Sequence, residues 1–370
     1  MDTGCDQRSG KGPHETAYEH EVVSWNWVRV GSVRTGVALN LLRSYHIVVR
    51  SNSRCQWNRP QVRPRRLTSL RSRVQGTPQL MSDDYNKTLR KLLVPGAGLV
   101  MPGAGNALAA RIIEAAGFPA VYMTGAGVAN SYLGAPDMGL ISVTEMAAHV
   151  ACIRDAVRLP IVADGDTGFG NALNLVRTIQ LYERAGASAI QLEDQAFPKR
   201  CGHFENKAVI SQSEMVQKIK AAVDARHDSD FMILARTDAR AIEGLDAAIE
   251  RMNAYREAGA DLLFIEAPRT LEELRRIPRE VPGVHIANIV HGGKTPMLAN
   301  HELGQMGFAG ILYANAALQA AMLAMKRTLA HLHQRGSLAG AEDQLVHFDE
   351  RQVMVDYKRW TDMEQRYVVD

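Results

Sequence analysis

Residues 191–204 read QLEDQAFPKRCGHF, and between Glu193 and His203 they hold two acids, two basic side chains, a cysteine and a histidine. A thiol between Arg200 and Gly202-His203 is suited to moving a proton, because neighbouring cations tune its ionisation. The plain alternative is a solvated loop with a stray cysteine. A second acidic group lies in DGDTGFGN. There Asp164 and Asp166 are two residues apart, so on a strand end both point to the same side. With Glu193 they form a cluster of carboxylates without thiolate, the donor set of Mg²⁺, with Mn²⁺ as the alternative. The plain alternative, less favoured, is that Asp166-Thr-Gly is a turn and Asp164 a helix cap. Arg236 in LARTDAR is placed to grip a substrate carboxylate with two parallel hydrogen bonds, or to ion-pair with Glu266 or Asp238. Glu266 and Asn288 say little individually.

One local pattern positions these groups. A helical run ends at glycine and an apolar run follows, as in IIEAAGFPAVYMTG, YERAGASAIQLED, YREAGADLLFIEA and LGQMGFAGILYAN. Gly117, Gly186, Gly259 and Gly307 then sit just past helix ends, where a left-handed backbone favours glycine. The apolar runs suit strands covered on both faces. Together with GLVMPG, LPIVADGD, FMILARTDA and VHIANIV they predict eight strands, near 98–102, 119–124, 160–164, 189–194, 231–236, 262–267, 284–290 and 309–313. Ser142/Glu145, Ser211/Glu214 and Thr270/Glu273 have the spacing of helix capping boxes. Eight βα units predict a (β/α)8 TIM barrel with extra helices at 314–334 and 341–369; a doubly wound open sheet is the alternative. In such a barrel the C-terminal strand ends form the functional rim. Six consecutive strands deliver polar groups there: Thr124, Asp164/Asp166, Glu193, Arg236, Glu266 and Asn288. Gly103, Gly105 and GFGN match neither nucleotide-loop pattern, and Cys152 reads as a core cysteine.

Bulk composition divides the chain. Residues 1–80 carry +8 and the remainder −5, and no acid occurs between Val22 and Ser82. The Arg-rich, Pro-broken leading segment suits nucleic acid, a transit peptide, or a stretch outside the working protein. The third reading is favoured, with Met81 as the true start, disorder over 1–80 and a single catalytic domain over 81–370. No nucleic-acid partner and no membrane contact are expected. Four scattered cysteines make neither a disulfide framework nor a metal motif, which fits a reducing, cytoplasmic setting.

The motifs DGDTGFGN, QLEDQAFPKRCGH, LARTDAR, FIEAP and IANIVHGGKTP together resemble the isocitrate lyase/phosphoenolpyruvate mutase superfamily, from about Leu99 to the C-terminus. The likeness is strongest to its short lyases, which act on 2-methylisocitrate or 2,3-dimethylmalate. It implies a (β/α)8 barrel, in some members with the last helix exchanged between subunits, a homotetramer, Mg²⁺ and a small carboxylate substrate. It further implies that Asp164, Asp166 and Glu193 serve the metal. By the same likeness Thr124, Gly125 and Ala126 bind a substrate carboxylate, Asp137 is an acid on the following loop, and Arg236, Glu266 and Asn288 contact substrate. Lys199, Arg200, Cys201, Gly202 and His203 correspond to a mobile catalytic loop, and Tyr122 to a tyrosine of the short lyases. Thr124 and Ala126 replace Ser and Gly of the pattern, and His291 stands where many relatives have Glu.

The reaction so implied is cleavage of a 2-hydroxy di- or tricarboxylate chelated by Mg²⁺. A base, either Tyr122 or a carboxylate, takes the hydroxyl proton. The C–C bond breaks to a 2-oxo acid and an enolate-like carboxylate dianion, and Cys201 protonates its carbon. Lys199, Arg200 and His203 stabilise the dianion. Oxaloacetate decarboxylation or hydrolysis is the competing chemistry. Phosphonomutase chemistry generally goes without a Cys-Gly-His motif. A barrel that binds without catalysing is disfavoured by the intact acids and Cys201.

Overall fold

The computed structural model describes residues 82–200 and 207–369. The expectations for residues 1–80, for Met81 as a start, and for Cys201, Gly202 and His203 lie outside them. All eight predicted strands form: β1 Leu99–Ala104, β2 Val121–Met123, β3 Ile161–Asp164, β4 Ala189–Glu193, β5 Met232–Thr237, β6 Leu262–Ile265, β7 His285–Asn288 and β8 Phe308–Tyr313. Each pairs in parallel with the next, and β8 returns to β1 through Leu99↔Gly310 to Pro102↔Tyr313. That last pairing closes the barrel and excludes the open sheet. Helices α1 (Ser82–Leu92), α2 (Ala107–Ala115), α3 (Gly125–Val128), α4 (Val143–Ala156), α5 (Ala172–Arg184), α6 (Gln212–Ala225), α7 (Leu245–Glu257), α8 (Leu271–Glu280) and α9 (Asn300–Gln305) accompany it.

Local chemistry sets the helix ends. Gly117, Gly186, Gly259 and Gly307 all have φ between +85° and +110°, the backbone that stops a helix before the next strand. Ser142 and Glu145 close a reciprocal capping box. Ser211 and Thr270 cap through the hydroxyl alone. The Glu273 carboxylate is taken by Arg240 and by the Arg269 N–H, so the third box is half made.

Strand periodicity decides what reaches the rim. Tyr122, Val162, Ala189, Leu234, Phe264 and Ile286 pack inside the barrel. Their neighbours Val121, Ala163, Ile190, Ala235, Leu263 and Ala287 pack outward against the helices. Advancing two residues along each strand, or four along β4, therefore carries Thr124, Asp164, Glu193, Arg236, Glu266 and Asn288 to the inner side of the C-terminal rim. Asp194 and Thr237, one residue out of phase, face outward. Asp194 there accepts hydrogen bonds from Thr237 Oγ1 at 2.6 Å and Tyr255 OH at 2.8 Å.

After β8 come α10 (Ala316–Arg335), α11 (Phe348–Met354) and α12 (Tyr357–Arg366), matching the predicted extra helices. No residue of α10 is buried, and Leu329, Val353 and Trp360 are among its exposed apolar side chains and those of the segment after it. Among the described residues no helix is long and apolar enough to cross a membrane. Cys152 is exposed on α4, which corrects its reading as core: the apolar stripe of that helix runs through Met146, Val150 and Ile153, and Cys152 falls off it.

At the opposite, N-terminal end of β7 lies His285, 1% exposed, its Nε2 2.6 Å from the Val281 carbonyl and its ring edge-on to Phe308. Burial pushes its pKa below 6.5, against a smaller upward pull from the Val281 bond. The fold thus holds the neutral imidazole, while the unfolded chain takes up a proton near pH 6.5. Stability contributed by this group is complete above about pH 6.5 and falls as pH drops, by at most about 1.4 kcal/mol per pH unit for one proton. Urea unfolding from pH 7.5 to 5.0 is expected to show a shallower decline for His285→Gln than for the parent. Identical slopes would mean another group titrates.

Candidate active site

The rim cluster is built around the turn after β3. Asp164 Oδ2 accepts the Gly125 N–H at 3.0 Å, and Oδ1 accepts the Asp166 N–H at 3.1 Å. A Cβ on Gly125 would stand 2.8 Å from Asp164 Oδ2 and 3.2 Å from Asp166 Oδ1. Glycine is needed there for close approach, at a position whose sequence signal was only a short TGAG run. Asp166 adopts φ +47°, a left-handed backbone rare for a residue with a side chain, and its carboxylate is buried.

Lys199 enters from the β4 loop. Its buried ammonium contacts Asp137 and lies 2.8 Å from Asp166 Oδ1. Burial works against that charge, but Asp166, Glu193, Asp137 and Asp164 outweigh it and hold the Lys199 pKa well above the usual lysine value. Burial likewise raises Asp166 to about 7 despite Lys199, and raises Glu193 despite Arg236 and Lys199. The Gln195 side chain holds the base of the loop: Nε2 donates to the Arg200 carbonyl at 2.8 Å and Oε1 accepts the Arg200 N–H at 2.9 Å. Gln195 also bridges Val209 in antiparallel fashion.

Arg236 is an ion-pair hub. Its Nε lies 2.9 Å from Asp238 Oδ2, and its two terminal nitrogens lie 3.4 Å from Glu193 Oε2 and from Glu266 Oε2. The ion-pair alternative for Arg236 is therefore realised with both named partners and a third. Its guanidinium still lines a small cavity with Tyr122, Thr124, Ala126, Glu266 and Asn288. Asn288 Nδ2 is 3.5 Å from Glu266 Oε2. Thr124 Oγ1 accepts the Gly127 N–H at 3.2 Å. With the Gly125 N–H on Asp164, two of the three groups expected to receive a substrate carboxylate have protein partners. Burial, then Asp164, pushes the Tyr122 phenol well above its usual pKa, which makes it a donor and opposes the phenolate base. Tyr122, Thr124, Gly125, Ala126, Asp137, Asp164, Asp166, Glu193, Lys199, Arg236, Glu266 and Asn288 thus share one rim, with the Arg200 backbone at its edge.

Reading from sequence named Asp238 as a partner of Arg236 but missed Lys207, which forms a buried pair with Asp238, and Asn315, which lines the same cavity. Asp238 is two residues beyond Arg236 and Asn315 ends β8's run, so the strand-end rule reaches both. Lys207 carries no local signal.

The donor set bears on a metal. Among the described residues no three His, Cys, Asp or Glu side chains converge closely enough to make an all-protein cage. Mg²⁺ rarely needs one; one or two carboxylates with water and substrate suffice. Glu193 Oε1 is buried without a hydrogen-bond partner among the described residues. Around the rim, among the described residues, Asp137, Asp164, Asp166, Glu193, Asp238 and Glu266 gather with Lys199, Lys207 and Arg236. Carboxylates outnumber cations two to one, all donors are oxygen, and a hard divalent cation fits.

Oxygen donors and buried cations at the mouth of a parallel barrel mark the functional rim of a (β/α)8 enzyme. Residues 89–333 match the phosphoenolpyruvate phosphomutase family, and the chain belongs to that family, within the isocitrate lyase superfamily. It is 47% identical over 279 residues to 2,3-dimethylmalate lyase of Eubacterium barkeri, covering 75% of this chain and 96% of that protein. It is 43% identical over 262 residues to 2-methylisocitrate lyase of Shewanella oneidensis, covering 70% and 90%. A solved phosphonopyruvate hydrolase in complex with oxalate and Mg²⁺ matches with a TM-score of 0.68 at 31% identity, covering 76% of this chain and 99% of that one.

Gly125→Ala is expected to reduce turnover at least tenfold while leaving far-UV circular dichroism unchanged, because both carboxylates must move from the added methyl. Activity within twofold of the parent would show that the close approach is dispensable.

Proposed function

We propose that this carbon–carbon lyase of the isocitrate lyase superfamily cleaves a 2-hydroxy di- or tricarboxylate, of the 2,3-dimethylmalate or 2-methylisocitrate kind, into a 2-oxo acid and a second carboxylate. The observation that carries the reading is Lys199: the residue two before Cys201 lies buried against Asp137 and Asp166, so the KRCGH loop begins inside the carboxylate cluster. Similarity to two lyases of this type supports the substrate class.

Mg²⁺ held by Asp164, Asp166 and Glu193, with Mn²⁺ as a substitute, would supply Lewis-acid polarisation of substrate oxygens. The chain's own groups do the rest. Arg236 and Asn288 orient the substrate's carboxylates at the cavity wall. Tyr122, kept protonated by burial, donates a hydrogen bond, and the hydroxyl proton goes to a carboxylate. When the C–C bond breaks, its electron pair passes to the departing carboxylate fragment. The Cys201 thiol then delivers a proton to that carbon, with Lys199, Arg200 and His203 supplying positive charge. Gln195, by gripping Arg200, fixes where this loop starts, and a closed loop excludes water from the dianion.

The test is a panel of 2,3-dimethylmalate, 2-methylisocitrate, isocitrate and oxaloacetate given separately to the protein with Mg²⁺, products followed by NMR. A 2-oxo acid is expected from one of the first three. It should be lost with chelator and reduced at least a thousandfold in Cys201→Ser. Turnover of oxaloacetate alone, indifferent to Cys201→Ser, would make the enzyme a decarboxylase or hydrolase.

Assembly with further copies of this chain, as a homotetramer, accompanies this reading. The exposed apolar residues of α10 to α12 support it, since a 20-residue helix with no buried side chain gains little stability from its own chain. Light scattering should give a mass near four chains, and deleting residues 337–370 should lower it. A monomer in both cases rejects the assembly.

A further inference from the structure

The turn 164–168 presents five consecutive backbone carbonyls, and each has a donor. Asp164 O accepts from Tyr182 OH at 2.9 Å. Gly165 O accepts from the Gly168 N–H at 2.8 Å, and Asp166 O from the Glu193 N–H at 2.9 Å. Thr167 O accepts from Lys218 Nζ at 2.5 Å, and Gly168 O from Thr178 Oγ1 at 3.1 Å. Two donors are backbone groups of the turn and of β4. The other three are buried side chains, two from α5 and one from α6.

Such complete occupancy is unusual for a loop, whose carbonyls generally face water. It coincides with backbone strain. Asp166 at φ +47° and Phe169 at φ +60° are both left-handed without being glycine, and Gly168 and Gly170 are at +85° and +141°. A non-glycine residue persists in that region only when its surroundings over-determine it.

Lys218 is the least expected member. It is 4% exposed and, among the described residues, forms no ion pair; its hydrogen-bond partner is one neutral carbonyl. A buried ammonium is costly where a neutral donor would satisfy the same acceptor. Burial lowers the Lys218 pKa from the usual lysine value, with Glu214 and Glu193 pulling the other way; in its charged form the ammonium adds positive charge behind the turn that carries Asp166.

We propose that Lys218, together with Thr178 and Tyr182, is a positioning residue of this site: three side-chain donors on the carbonyls of residues 164, 167 and 168 hold the strained turn so that Asp166 and Asp164 face the cluster before a cation arrives. The inference rests on the reading of these acids as cation ligands. None of the three side chains touches substrate in this arrangement; each acts through the backbone.

The experiment is Mn²⁺ titration of the full chain, with free Mn²⁺ read by electron paramagnetic resonance, beside thermal unfolding in chelator. The variants are Lys218→Met, Tyr182→Phe and Thr178→Val, each deleting a donor with little change of volume, and Thr178→Ser as the conservative control. Lys218→Met should raise the Mn²⁺ dissociation constant at least tenfold. Tyr182→Phe and Thr178→Val should raise it a few-fold, and Thr178→Ser should stay near the parent. Should Lys218→Met fail to fold, Tyr182→Phe carries the same comparison. Parental Mn²⁺ affinity in the folded variants, with only the unfolding temperature lowered, would overturn the inference and leave the metal reading standing. Absence of Mn²⁺ binding in the parent would overturn both.

Discussion

Excess buried negative charge is the constraint on which the rest of this structure depends. Among the described residues, six carboxylates gather at one barrel mouth with the cations Lys199, Lys207 and Arg236. Removing an ionised carboxylate from water costs several kcal/mol unless charge or hydrogen bonds replace the solvent. The cost is visible in Asp166 and Glu193, both held toward the protonated form by burial. Arg236 is committed to three acids at once, and is as much a strut between β4, β5 and β6 as a substrate contact. Barrel closure makes this concentration attainable, because consecutive strands bring their inward residues to one rim.

The loop after β4 inherits its geometry from the same charges. Its start is held twice: through backbone, where the Ala196 N–H donates to Ala208 O at 2.8 Å, and through the Gln195 amide on Arg200. Lys199 and Lys207, on either side of the KRCGH motif's remaining residues, both end on buried acids. Any change in the charge of the cluster must therefore alter the forces on the loop.

Much of this was legible in the chain. Four glycines past helix ends and eight apolar runs are local signals, and local physics decides them. Polar groups at the ends of apolar runs mark the functional rim of a barrel, so Asp164, Glu193, Arg236, Glu266 and Asn288 were found. Partner choice was not legible. Nothing near Gly125 says that its N–H binds Asp164 rather than substrate, and Lys207 and Lys218 reach their acceptors across 31 and 51 residues. Cys152 was misplaced because a helix with a weak apolar stripe leaves its phase ambiguous.

Gly125 and Asp166 show two solutions to one crowding problem. Gly125 has no side chain because the approach of two carboxylates leaves no room for a methyl. Asp166 occupies a backbone conformation where glycine would be the less strained choice, yet glycine would remove a carboxylate from the cluster. The sequence retains the acid and tolerates the strain. That choice is stable only if hydrogen bonds around the turn repay it, and these come from the helices behind the sheet as well as from Asp164 and Glu193 in the site itself. The rim and the helical layer are thus one mechanical unit: the acids can be crowded at the mouth because α5 and α6 hold the turn that presents them.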